Sequence, residues 1–323
     1  MRNPDVPIQE VYNMKDIVAV GEVLIDLTQR GVDALGIPQF SANPGGAPAN
    51  LAVAAAKLGA KTAFVGKVGQ DGFGKYLRSV LEENSVDTTG MLTDGREHTT
   101  LAVVSVDETG ERSFSFYRDP SADVNLHAGE IPAQLLKDTR VLHFGSVSLT
   151  AEPARSATLY AAKTARENGC LVSYDPNYRA NLWSDENTAV REMKAALPLC
   201  DILKISDEEL PLLTGTNDPV EGSRLLAETG IRLIFITLGA DGAFFRLGDQ
   251  TGSVPGIRVK VGDTNGAGDT FFGAALSKLV REDLDKLTMA RLAEIAAFAN
   301  KAAAITTSRH GAIPAMPTLA EVE

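Results

Sequence analysis

The sequence predicts an α/β protein, a mostly parallel sheet covered by helices on both faces, with a small separate β-sheet laid over its strand ends. Three observations carry that expectation. Short β-branched runs alternate with longer alanine-rich helical patterns along most of the chain, as parallel strands joined by crossover helices require. The stretch 99–117 breaks that rhythm with two alternating strands. Finally, the glycine-rich run Asp263-Thr264-Asn265-Gly266-Ala267-Gly268-Asp269 feeds straight into the apolar segment 270–280.

The elements follow in order. Ile17-Val18-Ala19-Val20 reads as a buried strand, 49–58 as a helix and 62–66 as the next strand. A helix is expected over 74–84. The strand 141–144, the helix 153–168 and the strand 171–174 form one repeat of the rhythm. Residues 188–197 are helical by pattern and lead to strand 202–205. Helix 220–229 precedes the most apolar strand, Leu233-Ile234-Phe235-Ile236-Thr237. A helix follows Asp263, and another is expected over 289–306. Segments 99–106 and 112–117 alternate as a hairpin pair around Asp107-Glu108-Thr109-Gly110. With the non-helical stretch 28–42 they would make the small sheet, lying where ligands bind in open α/β folds. Its exposed strand surface would suit a second subunit.

Composition bounds the function. The chain has 323 residues, 44% hydrophobic and 23% charged, enough for a large buried core. Its formal net charge is −11 with no block of Lys or Arg, which argues against nucleic-acid or anionic-membrane surfaces. No apolar run reaches about 18 residues, so no membrane span is expected. Residues 1–15 lack the apolar stretch of a secretory signal, and Cys170 and Cys200 lack metal-ligand spacing. Two buried thiols in a reducing, cytoplasmic setting are expected. His98, His127, His143 and His310 form no metal spacing and read as structural or surface residues.

Two motifs carry chemistry. The run ending at Asp269 would expose successive backbone N–H groups at the positive end of a helix dipole, which favours an anion. Asp269 is either an ordinary helix-start aspartate or a base placed beside that anion to take a proton from an attacking hydroxyl. The second motif, Asn43-Pro44-Gly45-Gly46-Ala47-Pro48-Ala49-Asn50, places paired glycines and an amide side chain before a helix. Asp26, just beyond the first strand, could accept bonds from neighbouring sugar hydroxyls; turn and cap roles are the alternative.

Gly45-Gly46-Ala47-Pro48-Ala49-Asn50-Leu51-Ala52, running on to Gly69, together with 263–276 at the other end, resembles the two signatures of the ribokinase-like (PfkB-type) carbohydrate kinases. The resemblance spans about 16–318 and implies one three-layer ribokinase-like domain, with a lid from insertions at about 28–42 and 97–120. The stretches 116–123, 175–179 with Leu182-Trp183, 204–209 and 311–314 look most like the fructokinase branch. Ser206 stands where many relatives carry asparagine.

The resemblance implies an ATP-dependent transfer of the γ-phosphoryl group to a primary hydroxyl of fructose, giving fructose 6-phosphate, with Asp269 as general base. The amides of Gly266, Ala267 and Gly268 would hold the transferring phosphoryl oxygens. Asp26, Gly45, Gly46, Asn50, Tyr117, Arg118 and Arg179 would bind the sugar. Lys204, Thr237, Gly239, Gly242 and Asn300 would serve the nucleotide. Glu209 would meet Mg²⁺ through water, and Asp263 with Ser308 would form a monovalent-cation (K⁺) site. A homodimer through the lid is implied, with no nucleic-acid or membrane partner. The rivals are a 2-keto-3-deoxygluconate kinase, ribokinase or adenosine kinase activity, and a non-catalytic sugar sensor or assembly subunit.

Overall fold

The computed structural model describes residues 14–106 and 112–323. In chain order its strands are β1 (Lys15–Val20), β2 (Leu24–Val32), β3 (Pro38–Gly45), β4 (Thr62–Gly69), β5 (Val86–Asp94), β6 (Leu101–Val106) and β7 (Arg112–Tyr117). These are followed by β8 (Thr139–Gly145), β9 (Leu171–Asp175), β10 (Ile202–Ser206), β11 (Leu233–Thr237), β12 (Gly242–Leu247) and β13 (Gln250–Pro255). The α-helices are α1 (Ala47–Lys57), α2 (Gly72–Glu83), α3 (Ala133–Lys137), α4 (Ala154–Glu167) and α5 (Glu186–Ala196). Then come α6 (Glu209–Thr214), α7 (Pro219–Ala227), α8 (Ala267–Leu279), α9 (Met289–Thr307) and α10 (Leu319–Val322).

Nine strands form one sheet in the order β13-β12-β11-β10-β9-β8-β1-β4-β5. It is parallel from β11 to β5, and β12 and β13 run antiparallel at one edge. Strand alternation explains why both faces need helices. Ile234 and Ile236 of β11 pack with α4, α5 and α7, whereas Leu233 and Phe235 pack with α8 and α9. β1 does the same, with Val18 and Val20 on one side and Ile17 and Ala19 on the other. This is the three-layer arrangement the sequence predicted.

The small sheet is separate and ordered β3-β2-β6-β7. β2 pairs antiparallel with β3 and parallel with β6, and β6 pairs antiparallel with β7. The two insertions read from the broken rhythm therefore do meet in one lid. The turn expected at Asp107-Glu108-Thr109-Gly110 lies outside the described residues, as does most of the N-terminal stretch 1–15. β5, β12 and β13 and the short helices α3, α6 and α10 had no counterpart in the sequence reading. β13 is polar and half-exposed on an edge, so it carries no hydrophobic period to detect.

Candidate active site

Four segments converge at the ends of the central strands, beneath the lid. β1 runs through Gly21 and Glu22 into β2, which carries Asp26. β3 ends at Gly45, and α1 begins two residues later. β9 ends at Asp175 and turns through Pro176 and Asn177. Gly266 starts α8 in the left-handed region, φ 75°, where a side chain would be strained and would also strike Ala312. Together with Lys204 of β10 these segments line a cavity of about 580 Å³ that includes Glu22, Asp26, Asn50, Asn177, Arg179, Gly268 and Asp269.

Asp269 lies in the first turn of α8 and is 8% exposed. Asn50 Nδ2 donates to its Oδ2 at 2.8 Å, and Asn177 Nδ2 donates to its Oδ1 at 3.2 Å. Burial raises its pKa, while Asn50, Lys204, Arg179 and Asn177 oppose the rise. A carboxylate made more basic and aimed by two amides is a competent proton acceptor. Asn50 Oδ1 is buried and has no hydrogen-bond partner among the described residues.

Asp26 faces the cavity from the lid, and Asn265 Nδ2 donates to its Oδ2 at 3.3 Å. Burial pushes its pKa up to about 6 against the pull of Asn265 and Arg179. Gly45 makes room for it: a Cβ there would sit 2.5 Å from Asp26 Oδ2. Arg179 lines the cavity, with Nη1 on the backbone oxygens of Asn177 and Tyr178.

Lys204 Nζ donates to Asp175 Oδ2 at 2.9 Å in a pair that is nearly fully buried. Burial alone would discharge the lysine, but Asp175 and Glu209 outweigh it and hold it protonated. Asp175 Oδ1 accepts from the Asn177 amide at 3.1 Å, and this turn holds Asn177 at φ 48°. Glu209 is buried, its Oε1 accepting from the Tyr178 amide at 2.7 Å and its Oε2 from the Ser206 amide at 2.8 Å. Ser206 Oγ also accepts from Glu209 N at 3.2 Å, so the serine closes the start of α6.

Two residues expected at the sugar lie outside the cavity. Tyr117 is 66% exposed and does not line the cavity; Phe116 does. Register gives the reason, because Asp26, Ala102 and Phe116 are aligned across β2, β6 and β7 and share a face, which puts Tyr117 on the other. Arg118 is also outside the cavity. Its Nε donates to Asp123 at 2.8 Å, its Nη1 to Thr150 Oγ1 at 2.6 Å and its Nη2 to Val147 O at 3.1 Å, which makes it a buried brace at the lid's root.

Thr237, Gly239, Gly242 and Asn300 line neither this cavity nor the second, of about 510 Å³, between segments 259–262 and 308–310. Asn300 is buried, its amide on Pro255 O at 3.0 Å, and the space at Gly242 is filled by the backbone of β13. Ser308 lines the second cavity and Asp263 the first; Asp263 Oδ1 accepts from Asn265 N and its Oδ2 from Gly311 N. His143 is buried against Ser173, and burial lowers its pKa to about 3. The sequence reading assigned no role to Glu22, Phe116, Asp175, Asn177 or Asn265. The Asp-Pro-Asn turn was the one available signal for Asn177.

Residues 14–319 match the pattern of the pfkB family carbohydrate kinases. Fructokinase-1 of Zea mays is 44% identical over 310 residues, covering 95% of this chain and 96% of that protein. A crystal structure of fructokinase with bound ATP from Xylella fastidiosa is similar at a TM-score of 0.89 and 33% identity, covering 96% of this chain and 97% of that one. A double-mutant fructokinase from Vibrio cholerae O395, in a form with fructose, ADP and potassium ion bound, is similar at a TM-score of 0.86 and 36% identity, covering 96% and 97%.

Proposed function

The chain belongs to the pfkB family of carbohydrate kinases, and on that premise we propose that it transfers the γ-phosphoryl group of ATP to a primary hydroxyl of fructose. The observation that carries the reading is Asp269, buried at the start of α8 and held by Asn50 and Asn177, with Asp26 on the cavity wall formed by the lid. The hydroxyl held between these carboxylates gives its proton to Asp269 as its oxygen attacks phosphorus. The backbone amides of Gly266, Ala267 and Gly268 receive the phosphoryl oxygens at the helix start. Lys204, kept charged by Asp175, meets the negative charge of the nucleotide.

Orphaned Asn50 Oδ1 and the Asp26 carboxylate both need donors, which sugar hydroxyls supply. Among the residues lining the cavity, the sugar side carries two carboxylates, Glu22 and Asp26, against one guanidinium, Arg179, while Arg118 is committed to Asp123. That balance favours a neutral ketose over a keto-acid. A bound divalent ion would neutralise phosphate charge. The described residues contain no cluster of three or more His, Cys, Asp or Glu able to cage one; this donor set suits Mg²⁺ carried on the nucleotide in its own water shell, with Glu209, outside the cavity lining and bonded to the Tyr178 and Ser206 amides, holding the loops beside it. Asp263 and Ser308, with the Thr307 carbonyl that accepts from Gly262 and Asp263, offer hard oxygen donors suited to K⁺.

The kinase unit is 16–318, with its lid from about 28–42 and 97–120. Val32, Leu35, Ile37, Phe40 and Tyr117 are exposed apolar residues on the lid, and they support a homodimer through it. Sedimentation of Leu35→Glu against the unaltered chain tests this, and a mass unchanged by the substitution counts against it. A cytoplasmic setting is supported by the two buried free thiols. Comparing ATP consumption with fructose, 2-keto-3-deoxygluconate and ribose tests the activity. No turnover of millimolar fructose would sink it.

A further inference from the structure

We infer that Glu22 is a specificity residue: its Oε2 takes a hydrogen bond from a hydroxyl of the bound ketose, while its Oε1 fixes the amide that follows Gly45 and Gly46. The inference rests on reading the cavity as a ketose site. Glu22 lines that cavity and is 3% exposed. Its Oε1 accepts from Ala47 N at 3.0 Å, across 25 residues of chain. Ala47 opens α1, and Asn50 stands one turn further on, so one carboxylate oxygen already sets the helix that presents Asn50 to Asp269.

The other oxygen is the informative one. Glu22 Oε2 is buried and has no hydrogen-bond partner among the described residues. Arg118 is near enough to act on its charge, yet the guanidinium directs its hydrogens to Asp123, Thr150 and Val147. A buried acceptor left unmatched is costly and needs a partner to account for it. The same cavity wall holds a second orphaned acceptor, Asn50 Oδ1. Glu22 and Asn50 lie on either side of the Gly45-Gly46 turn in sequence and line one cavity. A polyol supplies two hydroxyl donors to such a wall; a helix-capping role for Glu22 needs only Oε1 and leaves Oε2 unexplained.

Steady-state kinetics with fructose, and with analogues each lacking one hydroxyl, compare the unaltered chain with Glu22→Gln. Burial raises the Glu22 pKa to about 7, so the assays are run at pH 8.5, where glutamine keeps the volume and an oxygen for Ala47 N but turns the second acceptor of the ionised carboxylate into a donor. The unaltered chain is expected to lose ~10–100-fold in kcat/KM with one analogue. The variant loses roughly 10-fold with fructose and almost nothing further with that same analogue, at an unchanged KM for ATP. Parallel losses across the panel in both proteins overturn the inference, as does unchanged fructose kinetics in the variant. Failure of the unaltered chain to turn over fructose would instead bring down the functional reading and the inference with it. A fructose-bound crystal structure of the unaltered chain provides a readout independent of the variant's folding. A sugar oxygen within hydrogen-bond distance of Oε2 supports the assignment, and an Oε2 with only protein or water partners overturns it.

Discussion

Replacing Gly45 by alanine probes the proposed sugar site with a single carbon atom. The added Cβ would lie 2.5 Å from Asp26 Oδ2 and 3.3 Å from its Cγ, where ordinary contact begins at 3.4 Å. The carboxylate must retreat by about 1 Å, which also lengthens its 3.3 Å bond from Asn265. Gly45 has no positive φ, so backbone strain is not the cause. A reacting or binding group displaced by about 1 Å costs on the order of 100-fold, or about 2.7 kcal/mol. Coupled-enzyme assays should show kcat/KM for fructose falling by about that factor, mainly through KM, with KM for ATP unchanged. In an Asp26→Ala background the same alanine has no carboxylate to strike and should add less than roughly threefold. Activity of Gly45→Ala within threefold of the parent, or full additivity in the double variant, refutes the reasoning.

Asp269→Asn should lower kcat by ~10³-fold with a modest change in KM, and near-normal turnover would remove it as the base. Burial raises the Asp26 pKa from 3.8 to about 6, so the folded chain holds that proton more tightly than the unfolded one. The resulting stabilisation is fully present below about pH 4 and is lost as pH rises through about 6. Asp26→Asn should therefore raise Tm relative to the parent at pH 8 and not at pH 4, and equal shifts at both would contradict the burial argument. Lys204→Met strands the buried Asp175 carboxylate and should cost about 3–5 kcal/mol in denaturant unfolding at pH 8. Lys204→Met with Asp175→Leu should recover most of it, and a double variant as unstable as the single one would show that charge is not the cause.

The sheet and its helices were legible because burial on both faces leaves continuous apolar runs such as Leu233-Ile234-Phe235-Ile236. The Asp269 turn and the Gly45-Gly46 loop were legible because glycine next to a helix start has few purposes. What stayed hidden was parity and partnership. Nothing local says whether Phe116 or Tyr117 faces inward; that depends on the register of β7 against β6 and β2. Arg118 looks like a ligand in sequence, and only the fold brings Asp123, Thr150 and the Val147 carbonyl around it. Asn300 looks polar and available on a helix, yet its amide serves the carbonyl of Pro255.

With Asp269 as the proposed base, its clamp also dates the moment at which this chain becomes an enzyme. Asn50 precedes the carboxylate by 219 positions and Asn177 by 92. A nascent chain that has emerged through α7 already carries both amides and the lid, but not the carboxylate they hold. Phosphoryl transfer has to wait until α8 has left the ribosome and settled on α1. The first turnover is therefore a signal that synthesis has passed residue 269 and that the two distant ends of the fold have met.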